Sequence, residues 1–286
     1  MNSKKQYIPG INILGNTDVV STADQIKMIK DIGFGAFFTG WNPERQEIWA
    51  EAAAKNGVIY QSIHSPFSGK YKVSHMWKEG EDGVFVTNGL IDCVKDCARC
   101  GIPVMVIHPF IGFKEHTPTE VGLDNYARVV EVADKLGVKL GFENVEGEEY
   151  LAALMERFAD APACGFCLDT GHEQCYNGGK DMLALYGDKL CHTHFNDNLG
   201  IFLPPDAPLD ITWHNDLHLT MGDGIVDWKG VMDRIDATPY SGPLICELTR
   251  GNKPGRHDHD GYAAMQLEEF YAFAYDRVMK VINREI

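Results

Sequence analysis

KLGFEN (139–144), CGFCLDTGH (164–172), LCHTHFND (190–197) and PLICEL (243–248) are four short apolar runs, each carrying an acidic residue or a histidine at its end: Glu143, Asp169, His194 and Glu247. A short apolar run bounded by loops reads as a strand buried on both faces, the pattern of a parallel sheet. In such sheets the C-terminal strand ends face the ligand side. Four such strands in a row bring two Glu, one Asp and one His around one point. One polar strand end would mean little; four with oxygen and imidazole donors form a candidate metal site.

The rest of the chain alternates in the same way. Strands are expected at Tyr7–Leu14, Ala36–Thr39, Val58–Ile63 and Val104–Ile107 before this stretch, then at Lys139–Glu143, Gly165–Asp169, Leu190–Phe195 and Leu244–Glu247. Helices are expected at Thr22–Ile32, Glu44–Asn56, Val84–Arg99, Leu123–Leu136, Glu149–Phe158, Met182–Tyr186, Trp228–Ile235 and Tyr262–Asn283. Ser21 or Thr22 serves as a cap, and Gly33, Gly57, Gly101 and Gly137 act as stops. Ser65–Asp82 and Asn196–Val226 read as long loops. Eight βα units in 286 residues predict a single α/β domain over residues 1–286, a (β/α)8 TIM barrel, which takes roughly 250 residues. An open doubly wound sheet would call for a Gly-rich phosphate loop, and neither GxGxxG nor a Walker motif is present.

Bulk properties narrow the function. A formal charge of −15 argues against phosphate-backbone binding, so no nucleic-acid partner is expected. MNSKKQYIPG lacks an apolar signal core and no run would span a bilayer, so no membrane association is expected. Eight cysteines in no regular framework read as reduced thiols, giving a cytoplasmic expectation. Cys93, Cys97 and Cys100 share a helical stretch and, without a second CxxC pair, read as core packing rather than a zinc ribbon.

Around the four donors, His64 and His108 end two earlier strands, and His172 stands three residues after Asp169. DLHLTMGDG adds Asp216 and His218, which point the same way if the loop is extended. His192 shares a strand face with His194, but His194 is nearer the C-terminal end. His257 and His259 lie in a Gly- and Asp-rich loop and read as solvated. Trp41, Phe67 and Trp213 are candidates for an apolar wall, and Arg250, just beyond Glu247, for meeting a phosphate or carboxylate. Hard oxygens with one imidazole suit one divalent cation: Mn²⁺, Mg²⁺, Co²⁺ or Zn²⁺.

With these residues in view, the chain resembles the xylose isomerase-like TIM barrels, the sugar phosphate isomerase/epimerase superfamily. The resemblance rests on FEN at Glu143, LDTGH at Asp169 and His172, HxHFND at His194, DxHxxxGDGxxDW from Asp216 to Trp228, and CEL at Glu247. It implies that Glu143, Asp169, His194 and Glu247 bind one divalent cation, with no organic cofactor. It implies that the two glutamates move a proton beside a carbonyl through a metal-stabilised enediolate: a sugar or cyclitol isomerase or epimerase. His64, His108, His172, Asp216, His218, Arg250 and Trp41 would contact the carbohydrate. FNDNLG after His194 lacks the Glu-x-Asn-Arg segment of the free-ketose epimerases, which leaves open the related lyases and dehydratases acting on keto-sugars, keto-inositols or oxidised C-glycosides. The endonuclease IV branch, with its trinuclear zinc site, matches in nine donor types. It departs at NVEGEEY, where that branch has a Gly-Gln-Gly signature, and at HSPF. Barrels of this kind often pair, and a homo-oligomer is left open.

Overall fold

The computed structural model describes residues 5–14, 20–114, 116–200 and 213–286. Eight strands, β1 (Pro9–Asn12), β2 (Ala36–Gly40), β3 (Ile59–His64), β4 (Val104–Ile107), β5 (Lys139–Glu143), β6 (Cys164–Asp169), β7 (Leu190–His194) and β8 (Leu244–Cys246), pair in parallel in chain order, and β1 also pairs with β8. Phe195 closes the ring: its N–H donates to Ile245 O (2.7 Å) and its carbonyl accepts from Glu247 N (3.1 Å). The fold is the expected TIM barrel. The described helices are α1 (Thr22–Ile32), α2 (Gln46–Asn56), α3 (Glu81–Arg99), α4 (Glu120–Leu136), α5 (Glu148–Arg157), α6 (Thr170–Cys175), α7 (Met182–Tyr186), α8 (Trp228–Asp236), α9 (Asp260–Ala264) and α10 (Leu267–Ile282).

Two cores follow from the period-2 alternation of the strands. The larger fills the space between sheet and helices, where Phe37, Ile63, Met105, Phe142 and Phe166 are buried against helical residues such as Leu90, Val129 and Leu154. The smaller fills the barrel interior with Ala36, Phe38 and Ile245, and with Val104, Val106 and Cys167. Gly141 faces this inner space: a Cβ there would lie 3.2 Å from Cys167 Cβ. Two residues further on, Glu143 continues the same inward row, as Asp169 does after Cys167 and His194 after His192. These donors are thus the top layer of a packed interior. The β6–β7 register pairs Asp169 with His194 directly.

Several elements differ from expectation. β1 is shorter than Tyr7–Leu14, α2 starts at Gln46, and β8 ends at Cys246, so Glu247 stands one residue beyond its strand. The Ser65–Asp82 segment contains two 3₁₀ turns, Gly69–Tyr71 and Val73–Trp77. They bury Val73, Met76 and Trp77, and Trp77 Nε1 donates to Pro109 O at 2.8 Å. Helix α6 begins immediately after Asp169, whose Oδ1 accepts from His172 N (2.7 Å) as an N-cap. The closing helix is broken into α9 and α10, because Gln266 and Glu269 form a capping box that starts a new helix. Part of the Asn196–Val226 loop, residues 201–212, lies outside the described residues.

Candidate metal centre

Glu143 sits at the middle of the barrel mouth and is fully buried. Its Oε1 accepts from His194 Nδ1 at 2.8 Å and lies 3.6 Å from His172 Nδ1. Its Oε2 lies 3.2 Å from His108 Nε2 and 3.5 Å from His64 Nε2. Glu247 Oε2 reaches the same His194 Nδ1, at 3.1 Å, and lies 3.6 Å from His218 Nδ1. Asp216 Oδ1 bridges His218 Nε2 (2.8 Å) and His172 Nε2 (3.4 Å). All nine donors named from the sequence converge here.

Eight of them fall into overlapping groups whose ligand atoms lie within 4.8 Å of one another: His64, His108 and Glu143; Glu143, Asp169, His194 and Glu247; and Asp169, His172 and His218; Asp216 joins the last through its contacts with His172 and His218. Cys167, on the layer below, forms a further group with Glu143 and His194. Phe38 stacks under His194 with ring centroids 4.8 Å apart and forms an apolar floor. His192 lies one layer deeper, with Nε2 3.1 Å from Ser62 Oγ, away from the donors.

The electrostatics call for positive charge. Burial alone would raise Glu143, yet His194, His108 and His64 hold its carboxyl well below the usual range. Glu247 is likewise lowered against its burial, by His194 and His218. Burial opposes charge on His194, His172 and His218, and the surrounding carboxylates overcome it: His194 and His172 are pushed well up, His218 to about 9. Burial leaves Asp169 raised to about 6 and His108 lowered. Within the buried cluster, Glu143 Oε2, His172 Nε2 and Asp216 Oδ1 make close ion-pair contacts but no well-aligned hydrogen bond. Carboxylate and imidazole donors crowded around such atoms fit a divalent cation.

Second-layer contacts fix these side chains. Asn196 Nδ2 donates to Asp169 Oδ2 (2.7 Å), and the Asn144 and Glu247 backbones join in: His172 Nδ1 lies 3.1 Å from Asn144 O, and His218 Nδ1 3.1 Å from Glu247 O. His218 adopts φ 52°, a left-handed conformation uncommon outside glycine and a form of strain that clusters at functional sites.

A cavity of about 420 Å³ opens above the donors. Phe67, Ile111, Phe113, Tyr176 and Trp213 supply its apolar wall, and Glu146 and Lys253 are further polar members. Phe67 stacks on His108 at 4.2 Å, and Lys253 Nζ sits 4.9 Å over the Trp213 ring. Trp41 borders a shallower neighbouring cleft that shares His64, Phe67 and Glu247, and its Nε1 is committed to Asp96 Oδ2 at 2.7 Å. Arg250, expected to meet a substrate anion, instead donates to the backbone carbonyls of Tyr262 and Met265 and packs over Phe270. His259, expected in solvent, is buried and lies 2.7 Å from Leu217 O; its partner His257 is exposed. Cys93 and Cys97 are buried in the core, as read. Sequence reasoning missed Glu146, Tyr176 and Lys253. An acid three residues past a strand end was a usable signal for Glu146; the GNKPG loop gave none for Lys253.

Residues 26–267 match the model of the xylose isomerase-like TIM barrels. The chain belongs to that family. Among curated relatives it is similar to the uncharacterised protein y4fM of Sinorhizobium fredii, at 26% identity over 88% of this chain and 90% of that protein. It is similar to the probable endonuclease 4 of Nitrosopumilus maritimus, at 29% identity over 50% of this chain and 55% of that one. It is also similar to the inosose dehydratase of Lactiplantibacillus plantarum, at 28% identity over 49% of this chain and 48% of that one. The last two alignments thus span about half of each relative. Among solved structures, a putative xylose isomerase from Rhodospirillum rubrum superposes with a TM-score of 0.71 at 15% identity, over 97% of this chain and 99% of that one, a likeness of fold. No described helix is long and apolar enough to cross a membrane.

Proposed function

We propose that this family member is a divalent-metal-dependent isomerase or epimerase acting on a small sugar or cyclitol with a carbonyl group, with proton-moving lyases on such keto substrates as the neighbouring reaction class. The observation that carries the reading is the meeting of Glu143 and Glu247 at His194 Nδ1, inside a donor group completed by Asp169. These four residues would hold the cation. When bound, the cation supplies Lewis acidity that polarises the carbonyl and favours loss of the adjacent proton.

Glu143 and Glu247 would take and return that proton, each such transfer contributing roughly 10²–10⁴-fold. His172 and His218 lie where they can contact substrate oxygens. The apolar wall excludes water and covers the hydrophobic faces of a sugar ring. Lys253 is the one Lys or Arg among the described lining residues, which favours an uncharged substrate. The test is elemental analysis of the purified protein, followed by α-proton exchange on a keto-sugar panel in D₂O. About one Mn, Co, Mg or Zn per chain with exchange at the carbon beside the carbonyl supports the reading; absence of exchange throughout the panel rejects it.

One observation favours a second reading. The His64–His108–Glu143 and Asp169–His172–His218 groups offer places for further cations beside the first, an arrangement suited to phosphodiester hydrolysis. Three zinc ions per chain with cleavage of abasic-site DNA would establish it. The −15 charge opposes it, because DNA binding normally draws on a basic surface.

A further inference from the structure

The cavity is lined by one carboxyl group, Glu146, that belongs neither to the proton-moving pair nor to the histidine-paired donor cluster. Glu146 lies in the turn between β5 and α5 and is 8% exposed. Gly147, at φ 79°, turns the chain there; a Cβ would come within 2.9 Å of Tyr150, so the turn is tightly held. Glu146 Oε1 accepts from Gly112 N at 2.9 Å. Among the described residues no Lys or Arg pairs with it. It shares the cavity wall with Phe113 and Tyr176, facing the space lined by His172, Asp216, His218 and Glu247.

Epimerisation moves one proton between two faces and needs two carboxyls, Glu143 and Glu247. Asp216 is taken up by His172 and His218; Glu146, buried, unpaired by Lys or Arg among the described residues and open to the same cavity, has no task in it. We propose that Glu146 is a general acid that protonates an oxygen leaving from the carbon next to the one that loses its proton, so that the site performs β-elimination on a keto-sugar or keto-cyclitol. The inference rests on the reading of Glu143 and Glu247 as the proton-moving pair. One carboxylate of that pair takes the proton α to the ketone, and the C–H electrons form the new C=C bond. The bond from the β-carbon to oxygen breaks with its electron pair. That oxygen takes the Glu146 proton and departs as water or an alcohol, leaving an α,β-unsaturated ketone. The proton held by the pair passes to solvent, and Glu146 regains one from solvent; no oxidant or reductant is required. Burial supports the role by pushing the Glu146 carboxyl up to about 7, so that the acid form persists near neutrality.

A merely structural Glu146 would hold the Gly112 N–H, and a glutamine does this equally well. The test therefore compares the full-length, metal-loaded protein with Glu146→Gln. The probes are methyl and 4-nitrophenyl 3-keto-β-glucosides, with an inosose as a cyclitol. Two rates are read: α-proton exchange with D₂O by NMR, and release of methanol or 4-nitrophenol. Methanol needs protonation to leave; 4-nitrophenolate does not. In Glu146→Gln, exchange stays within about threefold, methanol release falls by roughly 10²–10⁴-fold, and 4-nitrophenol release stays within about tenfold. Methanol release at the wild-type rate, or equal loss for both leaving groups, overturns the proposal. Wild-type exchange without release from any probe overturns it too, while leaving the proton-moving pair standing. No exchange from any probe by the wild-type protein rejects the pair itself, and this inference with it.

Discussion

Glu143 and Glu247 converge on one nitrogen: Glu143 Oε1 and Glu247 Oε2 lie 2.8 and 3.1 Å from His194 Nδ1. They arrive from β5 and from the residue after β8, with β6 and β7 between them. Two carboxylates this close repel unless positive charge stands between them. Here the His194 imidazole fills that place, its pKa pushed up against burial by the surrounding carboxylates, and a divalent cation would fill it more strongly.

Replacing Glu143 by Gln keeps the volume and removes the charge. It should abolish proton transfer, with α-proton exchange down by roughly 10²–10⁴-fold. It should also lower metal content, because Glu143 belongs to three donor groups at once. Exchange by NMR and metal by elemental analysis check both; near-normal exchange would sink the assignment of Glu143.

Removing the metal should destabilise the fold, since an ion that binds only the folded state adds stability by mass action. At a hundredfold excess over Kd this is about 2.7 kcal/mol, worth roughly 5–10 °C in a chain of this size. Melting curves with and without a chelator measure it. An unchanged Tm in a protein stripped of metal would speak against a tightly held ion.

The metal-free protein should be pH-sensitive in a definite direction. Burial opposes charge on His218, but Asp216 and Glu247 raise it from 6.5 to about 9. A pKa raised by folding adds stability that is complete below the unfolded value and is lost as the pH rises through the folded one. Stability should therefore decline from pH 6.5 to 9, and His172 and His194 add to the decline in the same sense. Glu143 and Glu247, held low, act oppositely: their contribution is present above 4.5 and fades as the pH falls through their folded pKa values. Excess metal should flatten the alkaline decline by replacing the protons. A flat Tm across pH 6.5 to 9 with chelator present would contradict this charge balance.

The barrel was legible because its strands are uniform. Continuous apolar runs ending in donors read the same way in sequence and in space, and Lys139–Glu143 and Met182–Tyr186 match to the residue. What escaped depends on contacts between distant segments. His259 looks solvated beside Asp258 and Asp260, yet the carbonyl of Leu217 draws it inside. Arg250 looks free until the α9–α10 break turns the carbonyls of Tyr262 and Met265 towards it. Helix α6 hides in LDTGH because its cap is the same Asp169 that was read as a ligand. Glu146 stands three residues past a strand end, a signal in the sequence, but its burial depends on the distant Gly112 loop that covers it.

Asp197 shows how the donor cluster depends on a residue that is not one of its nine donors. It is fully buried. Its Oδ1 accepts from Asn198 N (2.9 Å) and Val226 N (3.0 Å), and its Oδ2 from Gly222 N (2.8 Å) and Trp228 Nε1 (3.0 Å). Its backbone exchanges hydrogen bonds with Leu219 at 2.8 and 3.0 Å, so the segment carrying Asp216 and His218 is pinned to the end of β7. Asp197→Ala orphans several buried donors, each worth about 1–3 kcal/mol, and should cost roughly 3–5 kcal/mol in all. Asp197→Asn keeps one acceptor oxygen and should cost less. Because the pinned loop carries two donors, the Ala variant should also lose metal affinity beyond what its lower stability explains, measured by titration at a temperature where it remains folded. Unchanged affinity in a folded Asp197→Ala protein would mean that the Asp216–His218 loop is positioned by other contacts.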